Sequence, residues 1–119
     1  MPVIVDIKPS NTKTKKYTAI FYHRVDGLVK KIKTTQFGAK NFSDFTIHKD
    51  KERKQRYLDR HRERENWNDY KSAGALSRWI LWNKPTLKAS IADYKRRFNL
   101  KSFKFPLGNS ILIIFSFIL

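Results

Sequence analysis

A chain of 119 residues with 26 Lys or Arg against 10 Asp or Glu carries a formal net charge of +16 and is long enough for one small domain. Cysteine is absent, which excludes a disulfide scaffold, a thiol nucleophile and thiolate zinc sites. Hydrophobic residues at 40% exclude a compositionally disordered chain, and only four Gly and four Pro exclude a fibrous one.

Met1 to Lys8 is not expected to act as a signal peptide, because its apolar run is short and no basic stretch precedes it. Val3 to Ile7 predicts a short strand, and Pro9-Ser-Asn-Thr12 carries turn chemistry. Tyr17 to His23 and Leu28 to Thr35 predict two more strands. Asp26-Gly27 between them is a hairpin signal, since both residue types tolerate positive φ. On the third strand Leu28 and Ile32 share a face, while Lys30, Lys31 and Lys33 scatter over both faces. Phe37 to Thr46 reads as a loop whose three Phe seal the hairpin against the next segment of the chain.

Residues 49 to 65 hold eight Lys or Arg against five acids and predict a helix capped by Asp50. Arg53, Tyr57 and His61 recur at i, i+4 and i+8, and Leu58 adds little width. So thin an apolar stripe implies a helix that is solvated or lies against a partner. In the polar segment after this helix, Trp67 is the expected anchor. Ser72 to Leu81 predicts a second helix, ended by Asn83-Lys-Pro-Thr86 because the residue before Pro avoids the α region. Thr86 caps a third, whose Leu87, Ile91, Tyr94 and Phe98 form one apolar face opposite Lys88, Lys95, Arg96 and Arg97.

Strands followed by helices predict an α+β fold: an N-terminal antiparallel β-hairpin or three-stranded sheet packed on two to three C-terminal α-helices. The expected core is Ile20, Tyr22, Leu28, Ile32, Leu76, Trp79, Ile80, Leu87, Ile91, Tyr94 and Phe98. One domain is assigned to residues 1–104 and an apolar tail to 105–119. Ile111 to Leu119 has one polar member. It falls short of the roughly 20 apolar residues of a spanning helix, so no transmembrane span is expected. A buried strand, a segment docked on a partner or membrane surface, and a poorly packing extension remain open for it.

The chemistry is sparse. His61 and Glu65 are i, i+4 on a helix and could share an ion, but no further cluster completes a shell. A solvated charged helix explains the same letters, so no metal is assigned. His48 reads as orienting a helix start and His23 as a hairpin surface residue. Without a Gly-rich phosphate loop, a nucleophile elbow or paired carboxylates, neither a cofactor nor a small-molecule substrate is expected, and no residue is assigned to catalysis. The positive signal is the charge, spread over the whole length: nine basic residues against three acids in 1–48, eight against five in 49–65, nine against two in 66–119. Such a field draws polyanions to a wide surface. The candidate contacts to nucleic acid or another acidic partner are Lys30, Lys31, Lys33, Arg53, Arg56, Arg60, Lys95, Arg96 and Arg97. Aromatics interleave with cations at Arg56-Tyr57, Arg78-Trp79 and Tyr94 to Arg97. They fall on faces assigned to the core, so backbone contact is favoured over base readout.

Phe37 to Lys40, Ser43 to Asp50, Arg56 to His61, Glu65 to Trp67, Leu76 to Thr86 and Ser90 to Phe98, together with the hairpin from Tyr17, resemble an uncharacterised family of small basic proteins. That family belongs to nucleocytoplasmic large DNA viruses of algae and protists. The resemblance spans roughly residues 16 to 100 and leaves out the tail after about Lys104. It implies a viral protein packaged in the virion, present in host cytoplasm or nucleus during infection. It carries no catalytic residue over. The expected roles are a non-enzymatic minor capsid or other virion structural protein bound to larger virion proteins, and alternatively a sequence-independent DNA-backbone or genome-packaging protein.

Overall fold

The structure, a computed structural model, describes residues 2–103. The tail 105–119, with all three readings of Ile111 to Leu119, lies outside the described residues. Three strands come first: β1 (Val3–Pro9), β2 (Lys15–Val25) and β3 (Leu28–Ala39). The helical half comes next, with α1 (Phe45–His48), α2 (Lys51–His61), α3 (Ala73–Leu76) and α4 (Leu87–Arg97). The arrangement is α+β. A short β4 (Leu100–Lys101), absent from the expected elements, pairs parallel to β1 and sets the strand order β3-β2-β1-β4. Among the described residues no helix is long and apolar enough to cross a membrane.

Local chemistry accounts for most of the boundaries. Asp26 and Gly27 sit at φ 51 and 77, and Val25 faces Leu28 across them. Two positive-φ residues between paired strands are what a two-residue type I′ turn requires. Ser72, Thr86 and Asp50 each accept a backbone N–H in the first turn of α3, α4 and α2. α3 runs straight into a π-helical turn, Ser77–Leu81, closed by Trp82 N–H donating to the Ser77 carbonyl at 3.0 Å. The wider turn lets the consecutive Ile80 and Leu81 both bury.

β3 runs past Thr35 to Ala39, so Phe37 is a fully buried strand residue and not part of a loop. Phe45 opens α1 and is buried, but Phe42 is 71% exposed and seals nothing. The ladder also slips: Phe21 faces Lys33 while Tyr22 faces Lys31, which makes Ile32 the extra residue of a β-bulge. Strict alternation would turn Ile32 away from Thr35 and Phe37. The bulge brings it against the core and leaves Lys30, Lys31 and Lys33 exposed.

The core joins Val5, Ala19, Phe21 and Phe37 of the sheet to Leu76, Ile80 and Leu81, with Tyr94 from α4 and Leu100 from β4. Leu28 is removed from the expected set: it is 61% exposed, because the hairpin tip reaches beyond the helices that cover the sheet. Ile20, Ile32, Trp79, Leu87, Ile91 and Phe98 are half-buried. On the far side of the sheet Ile4 and Tyr22 are buried as a cross-strand pair, and Phe103 packs edge-on against the Tyr22 ring at 5.0 Å.

Gly38 tests this packing. Its φ is 80, and a Cβ there would stand 2.8 Å from Leu81 Cδ1 and 3.3 Å from Lys16 Cβ. A left-handed backbone costs an L-residue about 1–2 kcal/mol before any clash. Gly38→Ala is therefore expected to lower stability by about 2–3 kcal/mol, read as a shift in the urea midpoint at constant slope.

Candidate functional site

α2 is held at its start by two side chains. Asp50 accepts from the backbone N–H of Glu52 and Arg53 at 2.9 and 3.3 Å, and His48 Nδ1 accepts from Asp50 N–H at 2.9 Å. His48 thus orients the helix start. Burial first, then the charge of Arg53, holds its imidazole below the ordinary histidine range. The charges of α2 and the turn after it sort into rows. Arg53, Arg60 and Arg64 share the row of Tyr57, whereas Glu52, Asp59 and Glu63 fall on another. The cationic row is thus free of acids.

Beside that row is a three-ring stack. Tyr57 lies 4.3 Å from Trp82 at 5° and 4.0 Å from His61 at 21°, so His61 is the outermost ring. His61 is fixed in place through Nδ1 and the Tyr57 carbonyl at 2.9 Å. Burial, and secondarily the charge of Glu65, pushes the Tyr57 hydroxyl up to about 12. It therefore stays protonated near neutrality.

The stack lines a groove of about 430 Å³ between α2, the end of the β2–β3 ladder and the first turns of α3. Arg53 and Arg60 of α2 line it, as do Lys15 opposite Ala39 at the end of the ladder and the exposed Phe42. Its one acid is Glu65, whose Oε1 is engaged by Trp67 Nε1–H at 3.1 Å. Gly38 and Gly74 leave room in its wall, where a Cβ on Gly74 would meet Glu65 at 3.0 Å.

The expected contact residues do not converge. Arg53 and Arg60 meet in the groove, while Arg56 is exposed outside its lining. Lys30 stands about 25 Å along β3 from Gly38, at roughly 3.3 Å per residue. Lys30, Lys31 and Lys33 lie on an edge strand, where lysines block pairing with another sheet. Lys95, Arg96 and Arg97 of α4 each have a partner within the fold, although the Arg96 side chain stays 72% exposed. Lys95 Nζ donates to Ser102 Oγ at 2.6 Å, and Arg96 and Arg97 reach Asp93 at 2.8 and 3.5 Å. Burial opposes the Asp93 charge, but Asn83, Arg97 and Arg96 outweigh it and hold the carboxyl below its ordinary value.

Arg97 belongs to a second construction that sequence reading missed. Arg62 lies 6.0 Å from the Trp67 ring, Arg78 lies 5.3 Å from Trp67 and 4.1 Å from Trp79, and Arg97 lies 3.7 Å from Trp79. This alternation of guanidinium and indole joins the ends of α2 and α4 through the π-helical turn. Trp67 is indeed an anchor, though through its face. Burial first, then the charges of Arg97 and Arg62, lowers the proton affinity of Arg78. His61 and Glu65 are not on one helix, since α2 ends at His61, and Glu65 Oε1 accepts from Trp67 Nε1–H, although both line the groove. Among the described residues no group of three or more His, Cys, Asp or Glu comes together.

The comparisons add one likeness. The model of a family of unknown function (DUF5754) matches residues 5–61, from within β1 to the last residue of α2, and so takes in Lys15, Phe42, Arg53, Arg60 and His61 of the groove. No curated protein and no solved structure matches the chain.

Proposed function

We propose that the chain is a non-enzymatic protein that binds the phosphate backbone of nucleic acid without reading its sequence, as a genome-associated protein of a virus particle. The observation that carries this reading is the groove. It gathers Lys15, Arg53 and Arg60 around a single, already engaged carboxylate on a chain of net charge +16. Stacked rings at its side and no acid in the arginine row of α2 fit a polyanion better than a small metabolite. The virion setting rests on the resemblance of residues 16 to 100.

The test is a salt titration of DNA binding. About five neutralised phosphates give a log–log slope of about −4 to −5, so affinity should fall about 250- to 1,000-fold between about 50 and 200 mM salt. Specific and random sequences should bind alike. Arg53→Gln with Arg60→Gln should flatten the slope by about 2. No binding at about 50 mM salt would sink this reading.

A second reading, a minor capsid or other virion structural protein, is favoured by one observation. Val25 and Leu28 form an exposed apolar pair at the tip of the hairpin, 39% and 61% exposed, and Ile47 on α1 is 62% exposed. Apolar side chains held out on a turn suit insertion into a larger protein.

A further inference from the structure

We infer that the groove takes an unpaired base, so that the preferred ligand is a single strand and not a duplex. This rests on the nucleic-acid reading and narrows it. Three independent features of the groove point the same way. The first is aromatic: His61 ends the Trp82–Tyr57–His61 stack and lines the groove, and Phe42 lines it too with 71% of its surface exposed. An exposed phenyl costs free energy in water, and a nucleobase can cover it whatever its identity, because every base has a π face. The second is electrostatic: Arg53 and Arg60 stand two helical turns apart beside those rings, placed to contact two phosphates of one strand. The third is shape. A concave site of about 430 Å³ accepts a flat ring, whereas bases in a duplex are stacked inside and must be extruded at a few kcal/mol.

The competing arrangement lays the convex face of α2 in a duplex groove. That face would bring Glu52 and Asp59 toward the phosphates along with Arg56, and like charges are repelled there. The groove is the side of α2 on which cations and rings coincide, with the single carboxylate of Glu65 held by Trp67 Nε1–H.

The experiment compares an oligo-dT of about 12 nucleotides with a duplex of the same length, titrated into the intact chain at about 50 mM salt. The single strand should bind at least about tenfold tighter. Phe42→Ala should cut its affinity about tenfold and bring the ratio of the two affinities toward one. The substituted chain is expected to melt like the parent, because Phe42 is exposed. Arg53→Gln with Arg60→Gln should weaken both ligands. Equal or tighter duplex binding, or a Phe42→Ala loss shared equally by both ligands, overturns the inference and leaves phosphate binding standing. Binding of neither ligand overturns both.

Discussion

Tyr94→Ala is expected to remove about 3–5 kcal/mol of stability, the range for emptying an aromatic site in a core. Tyr94 has no exposed surface, packs edge-on to Phe98 at 5.4 Å, and donates its hydroxyl to the Tyr70 carbonyl. It stands where α4, the sheet and the segment before α3 meet, so no neighbour can collapse into the space without moving an element. A domain of this size holds about 5–15 kcal/mol in total. The substitution should therefore leave a chain that is largely unfolded at modest urea. Tyr94→Phe isolates the hydroxyl: it keeps the ring and strands the Tyr70 carbonyl, at about 1–3 kcal/mol. Urea midpoints for parent, Phe and Ala variants should fall in that order. An Ala variant that unfolds with the parent would place the core elsewhere.

Asp44→Ala is expected to cost as much, for a different reason. Asp44 and Lys16 pair at 2.5 Å with side chains only 3% and 13% exposed. The other carboxylate oxygen caps α1, accepting from Thr46 N–H at 2.9 Å. Truncation leaves a nearly buried ammonium without its partner, a loss of about 3–5 kcal/mol, and uncaps a four-residue helix besides. Asp44→Asn keeps the cap and loses only the charge, so it should fall between parent and Ala. Adding Lys16→Met to Asp44→Asn removes the orphaned ammonium and should recover most of the loss, since a buried pair is often replaceable as a whole. Thermal melts of the four chains decide it; a double variant less stable than Asp44→Asn alone would show that Lys16 is held by something other than Asp44.

The parts of the fold that are local were readable in advance. Asp26-Gly27, Asp50, Ser72 and Thr86 each act on neighbours within a few residues, and each terminates or starts an element where its chemistry says. Leu28 was misplaced because burial depends on which element reaches over a strand, and no element among the described residues reaches the hairpin tip. β4 carries no pattern at all: two residues are too few for a period, and β1 alone makes them a strand. The bulge at Ile32 hides for a similar reason, since a slip in register belongs to the pair of strands and not to either one. At the groove, Arg53, Tyr57 and His61 were visible as a stripe from their helical spacing, and Arg60 as one of the expected cationic contacts. Lys15 and Phe42 were not, because β2 and the loop before α1 come beside α2 only in three dimensions. The pairing of Arg78 with Trp67 crosses from the π-helical turn to the segment after α2 and is not visible in the chain order, although Arg78-Trp79 showed that a cation and an indole sit side by side.

The parallel pairing of β4 with β1 also sets a clock. Val3 and Ile4 face Leu100 and Lys101, so the outer edge at the start of β1 waits for a partner made about 100 residues later. At a synthesis rate of about 5–20 residues per second, that edge stays bare for about 5–20 s on the ribosome. Bare edges recruit other strands. In that interval β1 can already hold β2, and β2 can hold β3, but the sheet of the described residues is completed only when the chain turns at Asn99, with φ 53, and drops Leu100 beside Val3. The nascent chain is basic throughout those seconds, with nine Lys or Arg against three acids in residues 1–48, so like-charge repulsion between neighbouring copies on a polysome is expected to oppose pairing at that edge until β4 arrives.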